Sequence, residues 1–390
     1  MRFLYRTHIK DRRRLIYVIS FLTSVYLALP IYITSTVLGE YIPETMVGIV
    51  FTASALAGIL LLALTPRILR IVGNYHALVL CTVLETVGLI TIALSANPSV
   101  VIVAFFTCLA LTSILPAQLD IFLEDNSFET TTGDIRGKYL TAGNIGVLIT
   151  PLMVSFFLFR NDFRLVFLVA ALLTIPLLFL IRKGFRSFKD PSYEREPLTA
   201  ALADIARSRN LIGVYVSNFL LYFFYSWMVI YTPVYLNHSL GFSWSVIGVI
   251  FTVMLLPFIL LEMPLGRLSD KKWGEKEILV IGMIVMALST GLLAFMTVPR
   301  VWLWAIMLCI TRIGASFVEI GSETYFFKHV KSADAHLISI FRMTRPMGYV
   351  LGPLLATILL SFIDLRFLFL VLGIIMLFGI PAGLLLKDTK

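Results

Sequence analysis

Charge is what this sequence has least of. Asp, Glu, Lys and Arg make up 14% of the 390 residues, against 59% hydrophobic, whereas soluble domains carry about a quarter charged. Together with a strongly positive mean hydropathy, this points to an integral membrane protein. Cysteine is nearly absent. Cys81, Cys108 and Cys309 all fall inside apolar runs without paired spacing, which argues against a disulfide framework or thiolate metal site and leaves three buried thiols. The five histidines, His8, His76, His238, His329 and His336, stand in the N-terminal tail or at loop and helix ends without ligand spacing. No metal and no cofactor is expected. An integral membrane enzyme acting on lipids would need a clustered nucleophile, a His/carboxylate constellation or a metal set, and none is visible.

Apolar runs are what the sequence does have. A membrane span needs about 20 apolar residues, and roughly twelve such runs are present: 15–38, 46–64, 77–95, 100–120, 139–159, 163–181, 211–234, 244–265, 277–297, 301–322, 338–360 and 366–386. Charge gives an independent test of orientation. The N-terminus, 65–76, 124–138, 182–210, 266–276, 328–337 and the C-terminus hold about 25 of the Lys and Arg residues, the opposite side only Arg160, Arg164, Arg300 and Arg366. An even number of spans with both termini cytoplasmic satisfies this split. Arg2, Arg6, Lys10, Arg12, Arg13 and Arg14 precede a span too long for a signal h-region, so the first helix is expected to stay. The net charge of +9 is thus topogenic, and the partner it implies is the lipid bilayer, not nucleic acid. Outer loops are as short as Asn97-Pro98-Ser99, and Asn237-His238-Ser239 is a chance glycosylation match.

Residues 182–210 form the one long connection and divide the spans six and six. The expected domains are 1–181, a linker at 182–210, and 211–390. Within the linker, Pro197 opens a segment with Leu198, Ala201, Leu202 and Ile205 on one face and Asp204, Arg207 and Arg209 on another. It reads as an interfacial helix or as a solvated linker helix.

The segment Gly266-Arg267-Leu268-Ser269-Asp270-Lys271-Lys272-Trp273-Gly274-Glu275-Lys276 interrupts two apolar runs with dense charge. Gly266 lets backbones approach, Gly274 permits a turn, Lys271 and its neighbours resist translocation, and Asp270 can cap or ion-pair with a neighbouring helix end. This pattern resembles the loop signature Gly-x-Leu-x-Asp-Arg/Lys-x-x-Gly-Arg-Lys of the major facilitator superfamily, here between helices 8 and 9. It has one extra residue before the second glycine and Glu275 where a base is common. The helix 2–3 loop, Pro66-Arg67-Ile68-Leu69-Arg70-Ile71-Val72-Gly73, is the degenerate copy, with Arg70 where the family has its acid. Gly143, Gly146 and Pro151 on helix 5 are echoed by Gly348, Gly352 and Pro353 on helix 11, small residues for close packing beside a proline that lets a helix bend. The copy on helix 11 is similar to the glycine-proline signature that the superfamily's antiporters carry on helix 5.

The resemblance implies an all-α membrane protein with twelve transmembrane helices in two six-helix bundles, nearest in layout to bacterial twelve-helix drug:proton antiporters. It implies a monomer in the bacterial inner membrane that moves a small-molecule substrate, coupled to protons, by alternating access. Efflux of lipophilic or cationic compounds is the leading expectation, and uptake of a sugar, peptide or metabolite the alternative. A receptor built on the same scaffold would be expected to show an added soluble domain.

Ionisable groups within spans are costly and mark candidate sites. At 1.5 Å per residue, Arg312 lies roughly 16 Å from the outer surface and Glu85 roughly 12 Å from the inner one. Glu319 and Glu323 stand one turn apart on helix 10, and Arg342 and Arg345 one turn apart at the start of helix 11. Two readings remain open: an inner ion-pair network that latches one state, or a protonatable coupling site at Glu319. Asp120, Glu124 and Asp125 end helix 4 near the surface and are expected to be solvated, while Glu262 is expected to join the Asp270 network. Glu85, beside Thr82 and Thr86, is either a proton or cation site or a packed acid held by a hydroxyl or backbone partner. Helix 1 has no carboxylate, unlike many drug exporters of the superfamily. By resemblance, helices 1, 4, 7 and 10 line the central path, which nominates Tyr26, Gln118, Asn218, Tyr222, Tyr225, Trp227 and Arg312. The aromatic run on helix 7 would suit an aromatic or lipophilic substrate, or serve as packing and interface belt.

Overall fold

A computed structural model describes residues 2–31, 33–127, 129–158, 163–194 and 197–387. Among them, eleven helices are long and apolar enough to cross a membrane. We number the spans in chain order: α1 Asp11–Ile31, α2 Met46–Val72, α3 Asn74–Leu94, α4 Pro98–Asp125, α6 Phe163–Phe185, α7 Arg209–Ser239, α8 Trp244–Lys271, α9 Glu275–Leu293, α10 Val301–His329, α11 Ala335–Leu360 and α12 Phe367–Leu384. The twelfth member of the layout, α5, is the 27-residue helix Thr132–Leu158. Helices suit this environment because they satisfy every backbone group internally. Several starts are locally encoded. Asn97 caps α4, its side chain accepting from the backbone N–H groups of Ser99 at 3.0 Å and Val100 at 3.4 Å, with Pro98 in the first helical position. Ser208 and Ser243 cap α7 and α8 in the same manner.

Spans overrun their apolar runs on the Lys/Arg-rich side. α2 continues through Pro66 to Val72, so the expected 65–76 loop shrinks to a break at Gly73, whose φ of +77° glycine adopts without strain. α8 continues through Lys271, and the charged segment is mostly its last two turns. Gly274 has an ordinary φ of −71°, so this turn does not itself demand glycine. In the linker, a short helix spans Leu198–Arg207, with Ala201 and Ile205 buried and Leu198 and Leu202 exposed.

The contacts divide the chain into two units. The first comprises 1–127, 142–198 and 330–346; the second comprises 128–141, 199–329 and 347–390. Each therefore takes a segment from the other half of the sequence: the first turns of α5 belong to the second unit and the first turns of α11 to the first. In the first unit α3 packs on α4 and α6, α1 on α6, and α2 on α4. In the second, α10 packs on α8 and α9, and α9 on α12. Gly282 and Gly314 set the α9–α10 approach: a Cβ on either would lie 2.8–2.9 Å from the other's carbonyl oxygen. Leu265, Ile278 and Ile320 form a core into which Leu140 of α5 packs. Large apolar side chains such as Leu60, Leu172, Phe179 and Leu288 are exposed within spans, a surface suited to lipid.

Candidate functional site

In the second unit, α7 and α10 bring Arg312, Tyr225 and Glu319 together. Arg312 is 2% exposed, and its guanidinium lies 5.0 Å from the ring centre of Phe224 and 5.5 Å from that of Tyr225. Its Nη1 has no hydrogen-bond partner among the described residues. The Tyr225 hydroxyl donates to Glu319 Oε2 at 2.7 Å, and Glu319 and Tyr349 are within electrostatic reach of the guanidinium. One turn toward the basic side, Asn218 Nδ2 donates to Ser322 Oγ at 3.3 Å. Tyr222 stands edge-on to Tyr225 with ring centres 5.8 Å apart. The arrangement is a buried cation against aromatic faces, with one carboxylate held a tyrosine away. It can bind an anionic group at Arg312 and an apolar body on the rings.

Trp227 is buried, 2% exposed. Its Nε1 donates to the carbonyl of Gly352 at 2.7 Å, and a Cβ on Gly348 would lie 2.8 Å from Phe223 N. α11 thus meets α7 backbone to backbone and runs as one helix through Pro353.

In the first unit Glu85 is 1% exposed, and neither carboxyl oxygen has a hydrogen-bond partner among the described residues. Tyr26 of α1 is close enough to interact with it, although its hydroxyl makes no hydrogen bond either. Both flanking threonines are occupied elsewhere: Thr82 Oγ1 donates to Leu78 O at 2.8 Å, and Thr86 Oγ1 contacts Thr82 O and Thr174 Oγ1 at 2.7 Å. The hydroxyl partner expected for Glu85 is therefore not a threonine. Gln118 of α4 is buried and donates to Cys81 Sγ at 3.8 Å, one turn before Glu85 on α3.

The basic ends carry the ion pairs. Asp270 accepts from the backbone N–H groups of Gly133 at 3.1 Å and Asp134 at 2.9 Å, at the start of α5, where a carboxylate complements the helix end. Lys328 bridges it, at 3.1 Å, to Glu275 at 2.5 Å. Gly133 and Gly266 face each other so closely that a Cβ on either would strike the other's carbonyl. Arg267 binds Asp134 at 2.6 Å, Lys271 is exposed, and Glu262 is buried against Gly137.

Two pairings depart from expectation. Arg342, grouped from sequence with the α10 acids, donates from its Nε to Asp120 Oδ2 at 2.6 Å, and Asp120, expected to be solvated, is fully buried. Glu323 instead pairs with Arg136 of α5 at 3.7 Å, whose guanidinium lies 3.1 Å over the Phe327 ring. Arg345, one turn beyond Arg342, is exposed. Depth along a helix is countable from sequence, but the neighbour each face meets is set by packing. Arg136 was hidden among the topogenic charges. A usable signal was there: both α4 and α10 carry acids in their C-terminal parts, and an arginine follows early in the next span.

At the opposite junction, Asp190 of the linker takes the capping role on α3, accepting from Asn74 N at 2.7 Å. Tyr193 donates to the same carboxylate at 2.5 Å, and burial together with that bond holds its phenol above the ordinary range.

A polytopic helical membrane protein of two units, each with a buried charge inside its spans, defines the class. The family model described as Major Facilitator Superfamily matches residues 15–246 and 214–390. The chain belongs to that superfamily, and is a transporter. Among solved structures it is similar to the superfamily transporter FucP in its outward conformation, with a TM-score of 0.77 at 13% identity over 98% of this chain and 100% of that one. It is likewise similar to the human organic anion transporter MFSD10 (TETRAN), with a TM-score of 0.78 at 13% identity over 96% and 99%. No curated protein matches it.

Proposed function

We propose that the chain carries a small organic anion with an aromatic or apolar body by alternating access, coupled to protons at Glu85. The carrying observation is Arg312: a residue 2% exposed, its guanidinium 5.0 Å and 5.5 Å from the ring centres of Phe224 and Tyr225, with an Nη1 that no described residue satisfies. A buried cation with an open donor favours an incoming carboxylate or similar anion. The aromatic part of the sequence expectation carries into this reading. The cationic part does not, because a cation would meet the like charge of the buried Arg312, whose Nη1 is open to an acceptor. An organic anion is also the cargo named for the human relative MFSD10.

Glu85 is favoured over Glu319 and Glu323 as the coupling group. Glu323 is tied to Arg136 and Glu319 to Tyr225, whereas no cation pairs with Glu85 in the described structure. Taking up or releasing a proton there changes the charge of the first unit's interior. The division into six and six spans at the 182–210 linker, and both termini on the cytoplasmic side, belong to the same reading and rest on the Lys/Arg distribution.

Proteoliposomes loaded with a pH dye and challenged with aromatic carboxylates, lipophilic cations and sugars test it. Proton movement triggered by carboxylates and lost in Glu85→Gln is the expected result. A response to cations or sugars with none to carboxylates overturns the anion assignment; carboxylate flux without proton movement overturns the coupling.

A further inference from the structure

The two junctions on the basic side are built differently. At α8–α9 the carboxylate of Asp270 fills the end of α5, and Gly266 closes on Gly133. At α2–α3, where Arg70 replaces the signature acid, a cavity of ≈ 170 Å³ remains between the end of α2, the start of the linker helix and the first turns of α11. Its polar lining is Arg67, Arg70, His336 and Ser339, with two arginines as its charged groups. Arg67 is exposed and makes no ion pair among the described residues. Arg70 donates through Nη1 to the backbone carbonyl of Glu194 at 2.9 Å, which holds its guanidinium in place without neutralising it. The Glu194 carboxylate, 52% exposed, lies 3.9 Å from His336 Nε2 at the rim.

We infer that this cavity binds the phosphate of an anionic phospholipid, a site independent of the transport reading. Two arginines at one opening present the forked donors that phosphate oxygens accept. The source assigned is the bilayer because, Ser339 apart, the remaining lining is apolar and continues into exposed apolar side chains. Leu64 and Leu198, both in the lining, are 40% exposed, and Leu60, one turn along α2, is 60% exposed. The acyl chains would follow that track while the headgroup sits at the basic ends of the spans, where the inner leaflet presents anionic lipid. The α8–α9 junction cannot do the same, since its own carboxylate already occupies the position.

The full-length protein in detergent, titrated with phosphatidylglycerol or phosphatidylcholine and read by native mass spectrometry, tests the site. The expected result is one tightly held phosphatidylglycerol, favoured at least about tenfold over phosphatidylcholine. That preference should fall about tenfold in Arg67→Gln/Arg70→Gln and persist in Arg67→Lys/Arg70→Lys. Equal binding of the two lipids, or an unchanged preference in the glutamine variant, overturns the proposal. Displacement of phosphatidylglycerol by millimolar inorganic phosphate would make this a soluble-anion site and overturn the lipid assignment. Equal melting of the glutamine variant and wild type in phosphatidylcholine controls for folding; if that variant does not fold, Leu198→Glu, which sets a carboxylate in the apolar lining, is the replacement, and retained preference there overturns the proposal as well.

Discussion

Glu85 and Arg312 are the deep charges of the two units, and their surroundings are opposites. Around Glu85 the first unit offers thiols, one phenol and threonines already bonded to backbone, with no cation among the described partners. Around Arg312 the second unit builds a polar cluster in which an acid is held by Tyr225 within electrostatic reach of the guanidinium, and still leaves one donor open. A carboxyl can relieve its burial by binding a proton; a guanidinium cannot shed its charge and needs an anion. The same burial therefore suits one residue to exchange with protons and the other to hold a solute.

Exchange of roles between these residues would break the comparison. Arg312→Ala is expected to lower solute transport at least about 100-fold, measured as initial uptake into proteoliposomes, with the folded yield retained; near-normal uptake would remove Arg312 from the site. Glu85→Gln is expected to abolish solute-driven proton movement, read with an internal pH dye, while solute counterflow stays within about threefold of wild type. Persisting proton movement would shift coupling to Glu319. Asp270→Asn removes a charge from the α5 cap and is expected to slow turnover about tenfold with substrate affinity unchanged, measured by counterflow and equilibrium binding. The smallest effect belongs to Tyr225→Phe, which removes the hydroxyl that donates to Glu319; a two- to fivefold weaker affinity is expected, and an unchanged one would mean the tyrosine link does not set the anion site.

Much of the fold was legible because hydropathy and the need for internal backbone bonding act on every span alike. The ends were not, since Pro66, Arg67 and Arg70, or Arg267 to Lys271, continue helices well past the apolar runs. Deep positions such as Glu85 and Arg312 could be counted from span ends, but their partners could not. Thr82 and Thr86 looked like natural company for Glu85, yet each hydroxyl turns back to the carbonyl one turn earlier, a local bond available to any threonine in a helix. Asp120 lies close to a span end and so reads as wet, whereas α11 covers it with Arg342.

The segment 330–346 has a consequence for how the protein is made. Asp120 and Arg342 are 222 residues apart in sequence, so at about 5–20 residues per second of synthesis the acid waits on the order of 10 to 40 seconds for its arginine. The first six spans can be inserted in that time, but the first unit is incomplete until the eleventh is made. Truncation anywhere before α11 thus leaves Asp120 without the guanidinium that meets it in the finished chain.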